Sequence, residues 1–136
     1  MATRGRLGLE LSDGSILSVY HHWDSYTSWL GRILKTHYNT KEKVSELIDG
    51  GDMSTCWDEN KLPEYYSARG ENCPPYLDNS IVEYLANGEE YAYIFNRKGE
   101  WVAFDRHEFD DKDPEIVSIP SCALAAWQQG TAPSII

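Results

Sequence analysis

Cysteine is scarce in this chain: Cys56, Cys73 and Cys122 are its only three, widely spaced and without a C-x-x-C pair. An odd, dispersed set argues against a disulfide framework or a thiolate zinc site and fits a reducing cytoplasm. No apolar run approaches the roughly 18 residues of a transmembrane helix, and the start Met1-Ala2-Thr3-Arg4-Gly5-Arg6 carries no secretory apolar stretch, so the protein is expected to act where it is made, away from membranes. Positive charge is also short, with 12 Lys and Arg against 22 Asp and Glu and a net charge of −10. Without a dense basic field, nucleic acid is an unlikely partner, while a small anionic ligand at a local basic pocket stays open. There is no G-x-S-x-G, no Walker or dinucleotide cradle, and no cysteine next in sequence to a histidine that would activate it. Repeats and low-complexity tracts are missing too, and no cofactor is implied.

What is present is 136 residues, 41% of them apolar and 12% aromatic. A chain of this size forms one domain and buries roughly 68% of its unfolded surface without staples. Charge is uneven: residues 1–44 hold six Lys/Arg against four Asp/Glu (+2), whereas residues 45–136 hold six against eighteen (−12). The basic character is N-terminal.

Alternation and turn chemistry predict a β-hairpin over residues 4–11 and 15–22, around Ser12-Asp13-Gly14. With Gly14 in the left-handed position of a three-residue loop, Leu11 faces Ser15, Leu9 faces Leu17, Leu7 faces Val19 and Gly5 faces His21. The competing two-residue turn sets Leu17 opposite Glu10 and mixes polar and apolar groups on both faces, so the first register is preferred. Arg4 with His22, and Arg6 with Tyr20, then share the other face.

Trp29, Leu30, Ile33, Leu34 and His37 recur at helical spacing behind Ser28 as N-cap. A second helix begins at Asn39 or Thr40, with Asn39 and Glu42 in capping-box spacing. It buries Val44, Leu47 and Ile48 and stops at Gly50-Gly51. Residues 52–79 contain Pro63, Pro74 and Pro75 and read as a long connection with at most a helical turn at 63–66. A short helix over 80–87, capped by Asp78 or Asn79, precedes a second hairpin, 90–96 and 100–105, around Arg97-Lys98-Gly99. There Ala92, Ile94, Val102 and Phe104 take one face, and Tyr91, Tyr93, Phe95, Trp101 and Ala103 the other. Two apolar faces mean either cover on both sides, with Trp127 and residues 116–119 as cover for the aromatic one, or an aromatic platform that stacks bases. The tail carries an acidic turn at 110–113, a strand at 115–119 and a helical run at 122–128 behind Ser121. The resulting class is α+β: an antiparallel sheet of two hairpins, with a possible tail strand, and two helices on one face.

The densest chemical cluster is Tyr20-His21-His22-Trp23-Asp24-Ser25-Tyr26. Strand alternation puts Tyr20, His22 and Asp24 beside Arg4 and Arg6, and puts His21 in a structural role with Leu17 and Val19. A His-x-Asp pair with Arg and Tyr can polarise a ligand oxygen, and imidazole exchanges a proton near neutral pH. In the plainer alternative Asp24 caps the following helical turn and His22 bonds it. A metal site would recruit His21, His22, Asp24 and His37, with His107 more distant, but adjacent strand histidines face opposite ways, so no metal is expected. The acidic stretch Asp105, Glu108, Asp110, Asp111, Asp113 and Glu115 reads as a solvated edge, or as a mimic of nucleic-acid phosphates.

Residues 4–55 resemble a group of small tailed-bacteriophage proteins that carries no established activity. The likeness lies in Arg4-Gly5-Arg6-Leu7-Gly8, Asp13-Gly14, His22-Trp23-Asp24-Ser25-Tyr26, His37-Tyr38, Thr40-Lys41-Glu42-Lys43-Val44 and Gly51-Asp52-Met53-Ser54, and more loosely in the hairpin at 91–101. That group is expected to show H-W-D-G-Y, often followed by Pro, where this chain has Ser25 and Thr27. The resemblance implies a phage accessory protein in the host cytoplasm that binds a host protein or a small anionic ligand for host takeover or counter-defence. The expected contact surface is Arg4, Arg6, Tyr20, His22, Asp24 and Tyr26. Alternatives are a nucleotide-binding or nucleotide-hydrolysing protein using His22 and Asp24, and an acidic mimic using Asp110, Asp111 and Asp113.

Overall fold

A computed structural model describes residues 3–57, 60–86, 89–106 and 113–119. The first hairpin pairs β1 (Gly5–Glu10) with β2 (Ile16–His21) in the preferred register, Leu7 to Val19 and Leu9 to Leu17. Its loop closes with Leu11 N donating to Ser15 O at 2.8 Å and with Gly14 at φ +88, a conformation that glycine adopts without steric cost. After β2 the chain makes a π-type turn (Thr27–Gly31), then α1 (Arg32–His37) and α2 (Lys41–Asp49). Three short strands follow, β3 (Met53–Thr55), β4 (Glu64–Tyr65) and β5 (Tyr76–Asp78), with a 3-10 turn at Tyr66–Arg69. Then come α3 (Ile81–Ala86), the second hairpin β6 (Tyr91–Phe95) and β7 (Trp101–Asp105), and β8 (Glu115–Val117). The second hairpin also keeps its expected register, Phe95 to Trp101 and Tyr93 to Ala103, with Gly99 at φ +81.

The class is α+β, and the hairpins are antiparallel within themselves, yet β1 lies parallel to β6, so the sheet is mixed. Its order is β4-β3-β2-β1-β6-β7-β8, and β5 shares one edge of β2 with β3. The parallel join follows from burial. It sets Leu7 and Leu9 beside Tyr93 and Phe95 on one face, where they meet Leu30, Ile33, Leu34, Val44, Leu47 and Ile48. Each fully buried side chain of this kind contributes roughly 1.5–3 kcal/mol. Tyr93 and Phe95 are therefore core under the helices and are no platform for bases, with Val117 and Ile119 at the rim; Trp127 lies outside the described residues.

The opposite face is covered only in part. α3 lays Tyr84 over Ile16, Ala92 and Ile94, and the Tyr84 hydroxyl donates to Tyr93 O at 2.8 Å. Gly8 makes room for it, since a Cβ there would sit 2.6 Å from Ile16 Cγ2 and 3.1 Å from Tyr84 Cζ.

Several local expectations change. Ser28 lies inside the π-type turn, where Tyr26 holds the capping position, and no side chain caps it. Thr40, not Asn39, caps α2 by accepting from Lys43 N, because Thr40 is extended (φ −131, ψ 155) while Asn39 Oδ1 takes the Lys43 ammonium. Ser80 caps α3 through Glu83 N at 3.2 Å, while Asp78 is buried as the last residue of β5. The 52–79 connection carries β3, β4 and β5 and is tied to the end of β2 by Tyr20 N to Asp52 Oδ1 (2.8 Å) and His22 N to Met53 O (3.2 Å). The tail strand is shorter than expected, and the helical run at 122–128 and residues 110–112 of the acidic turn lie outside the described residues.

Candidate functional site

Alternation along the first hairpin sends Arg6 and Gly8, and across from them Tyr20 and Ser18, to the face that α3 covers only in part. At one end Gly8 is occupied by Tyr84. At the other, Arg4, Arg6, Tyr20 and His22 remain half-buried around the buried Ser18.

Each of these side chains is held. The Arg6 guanidinium donates twice to Ser18 Oγ, from Nε at 3.1 Å and from Nη2 at 2.9 Å, which fixes its plane against the sheet. Tyr20 Oη lies 2.6 Å from His22 Nδ1, and the Arg4 guanidinium is near enough to act on the same phenol. Burial, then the nearby Glu89 carboxylate, push the Tyr20 hydroxyl up to about 12 against the pull of Arg4, so it keeps its proton at neutral pH. Trp23, 44% exposed, stands edge-on to the His22 ring at 4.7 Å.

His21 does the reverse on the buried side. Its Nε2 accepts from Cys56 N at 2.9 Å, so Nδ1 carries the proton and donates to Ser25 Oγ at 2.8 Å, and Ser25 in turn donates to His21 O. Burial, with a smaller push from His22, drives its basicity down to about 3, and it stays neutral. This is the structural role the sequence assigned to it. With both ring nitrogens occupied and the ring opposite to His22, the pair cannot share an ion. Among the described residues no group of three or more His, Cys, Asp and Glu is placed to hold a metal.

The structure separates Asp24 and Tyr26 from the other four. β2 ends at His21, and His22 N and Trp23 N turn to Met53 O and Ser54 O. Asp24 then adopts φ +59 and takes the left-handed position itself, with Ser25 buried behind it against Gly5. Burial, and then the nearby exposed Asp24 carboxylate, raise the Tyr26 hydroxyl above its ordinary value. No bond joins Asp24 to His22 among the described residues, and Asp24 caps no helix. The expected His-x-Asp pair is replaced by a His–Tyr pair.

Four residues that sequence reasoning missed complete the face. Ser18 was legible, since it alternates with Leu17 and Val19 and stands on the strand opposite Gly8. Asp52 accepts from Tyr20 N at 2.8 Å. Tyr66 lies within electrostatic reach of Tyr20, and Tyr76, 57% exposed, pairs with Ser18 across the sheet. These three come from the segment that had no periodicity to read.

A cavity of about 220 Å³ lies at the opposite end of the hairpins, between their turns and the start of α2. Its Arg97 is already matched: Arg97 N donates to Glu10 Oε1 and Nε lies 3.6 Å from it. The buried Cys56 thiol is pushed up to about 12 and is no nucleophile. No helix among the described residues is long and apolar enough to cross a membrane. No protein-family model, curated protein or solved structure matches the chain.

Proposed function

We propose that the protein is a non-enzymatic binding factor, a phage accessory protein acting on a host component in the host cytoplasm, and that Arg4, Arg6, Tyr20 and His22 are its contact surface. The observation that carries this is the fixed Arg6 guanidinium on Ser18 beside the His22–Tyr20 pair, on a face left open by α3. Arginine, tyrosine and tryptophan are the residues that dominate binding hot spots, and here they are held in place before any partner arrives. A hydrolase reading needs Asp24 to orient His22; the imidazole is oriented by a phenol instead, which supports binding over acid/base work. The acidic-mimic reading rests on Asp110, Asp111 and Asp113, of which only Asp113 is described, and no contact favours it.

Native mass spectrometry of protein purified from its bacterial host tests this. A host component should be retained by the wild type and lost at least tenfold from an Arg6→Ala, His22→Ala variant, but not from Lys98→Ala. Retention indifferent to the two substitutions removes this face. Turnover of a nucleotide that His22→Gln abolishes removes the non-enzymatic assignment.

A further inference from the structure

Resting on the binding reading above, we propose that the Arg4, Arg6, Tyr20 and His22 face recognises a phosphate monoester carried by its partner.

Arg6 gives the first reason. In a chain of net charge −10, this half-buried guanidinium has, among the described residues, Ser18 Oγ as its only hydrogen-bond partner and no carboxylate in ion-pair contact. Its Nε and Nη2 are aimed at the sheet, which leaves the Nη1 side directed away from Ser18. A cation drawn partly out of water and left without a counter-ion gains most from an anion that brings its own oxygens.

The second reason is the His22 ring: its Nδ1 meets Tyr20 Oη at 2.6 Å, and no partner of Nε2 is found among the described residues, so that nitrogen is open to a ligand. The third is placement: Arg6 is the cross-strand partner of Tyr20, whose hydroxyl meets His22 and lies within electrostatic reach of Arg4. Directly opposed neighbours such as Arg6 and Tyr20 lie about 5 Å apart. Arg4, Arg6 and His22, grouped around Tyr20, approach a ligand from three sides, which suits the three terminal oxygens of a tetrahedral phosphate better than the two coplanar oxygens of a carboxylate.

Acidic neighbours set the limit on the ligand. Glu90 Oε1 accepts from Arg4 N at 3.4 Å, and Glu89 is near enough to act on Tyr20. They oppose a polyanion spread over the surface, as does the net charge, and confine recognition to a single phosphate seated towards Arg6 and His22. Trp23 and Tyr76, both exposed at the border, offer flat apolar contact to whatever carries the phosphate. A phosphorylated side chain of a host protein and a phosphorylated small molecule share this chemistry.

The test is an NMR titration of the full chain with inorganic phosphate at constant ionic strength, following the His22 ring and the Arg6 Nε–H. Saturable shifts of both groups are expected, with affinity reduced at least tenfold in Arg6→Gln and in His22→Gln and unchanged in Lys98→Gln. Acetate should bind at least tenfold more weakly. Phosphoserine peptide and adenosine monophosphate, titrated in turn against Trp23 fluorescence, identify the source by the tighter of the two. Absence of saturation, an equal response to acetate, or indifference to both face variants overturns the proposal; near-UV circular dichroism confirms that the variants are folded. If phosphate fails while retention of a host component still depends on Arg6 and His22, the phosphate assignment falls and the binding surface stands.

Discussion

His21 and His22 are adjacent in the chain and face opposite ways: His21 accepts from Cys56 N on Nε2 and donates from Nδ1 to Ser25, while His22 Nδ1 meets Tyr20 Oη at 2.6 Å. The pleat separates them, one to a dry interior where only the neutral ring is tolerated, the other to a face that α3 leaves open. One histidine thus belongs to stability and its neighbour to recognition, and the two are experimentally separable.

Stability should fall with acid through His21. Its folded value is depressed to about 3 from an unfolded 6.5, so the unfolded chain binds the extra proton between those limits. The contribution is fully present above pH 6.5 and is lost as pH falls towards 3, at about 1.4 kcal/mol per pH unit. Urea unfolding at pH 7 and pH 5 should differ by about 2 kcal/mol more in the wild type than in His21→Gln. Equal differences would show that His21 titrates normally.

Gly8→Ala should unseat α3. The added methyl meets Ile16 Cγ2 at 2.6 Å and the Tyr84 ring at 3.1 Å, an overpacking that costs about 1–3 kcal/mol. Amide exchange should accelerate over residues 81–86 while α1 and α2 keep their protection, and protection unchanged throughout would contradict the packing described.

Two glycines at positive φ should respond differently to alanine. Gly14 (φ +88) has open space around its missing side chain, so Gly14→Ala costs only the left-handed backbone, about 1–2 kcal/mol. At Gly51 (φ +86) a Cβ would lie 2.2 Å from Cys73 O, so Gly51→Ala adds displacement of the hydrogen bond from Asp52 N to Cys73 O. Denaturant midpoints should drop clearly further for Gly51→Ala, and the reverse order would rule out that close approach.

The α2 cap is tested by one pair of variants. Thr40→Ala should cost about 1 kcal/mol, since Thr40 Oγ1 accepts from Lys43 N, and Asn39→Ala should cost a few tenths at most. Equal losses in thermal unfolding would return Asn39 to the capping role.

Much of this fold was legible because both hairpins carry their own instructions. Gly14 and Gly99 fix the loop type, loop type fixes register, and register places Leu7 with Val19 and Tyr93 with Ala103. α2 was legible from Val44, Leu47 and Ile48. The strands at 53–55, 64–65 and 76–78 were not, being too short for a period and specified by partners far away, such as Asp52 on Tyr20 N. Of the candidate site, Arg4, Arg6, Tyr20 and His22 followed from alternation. Asp24 did not, because alternation holds only while the strand continues and the chain leaves it after His21. Ser80-x-x-Glu83 was a readable helix start that Asp78 and Asn79 obscured.

The parallel pairing of β1 with β6 orders the assembly of the molecule. Each hairpin closes across a three-residue loop, whereas the seam between them brings together residues such as Arg4 and Glu90, 86 positions apart. Loop-closure entropy alone makes that step about 3 kcal/mol harder than either turn. The hairpins therefore form first and wait for one another. During the wait β1 and β6 each present an unpaired strand edge, so the interval before the seam closes is when a growing chain is most vulnerable to pairing with a second copy of itself.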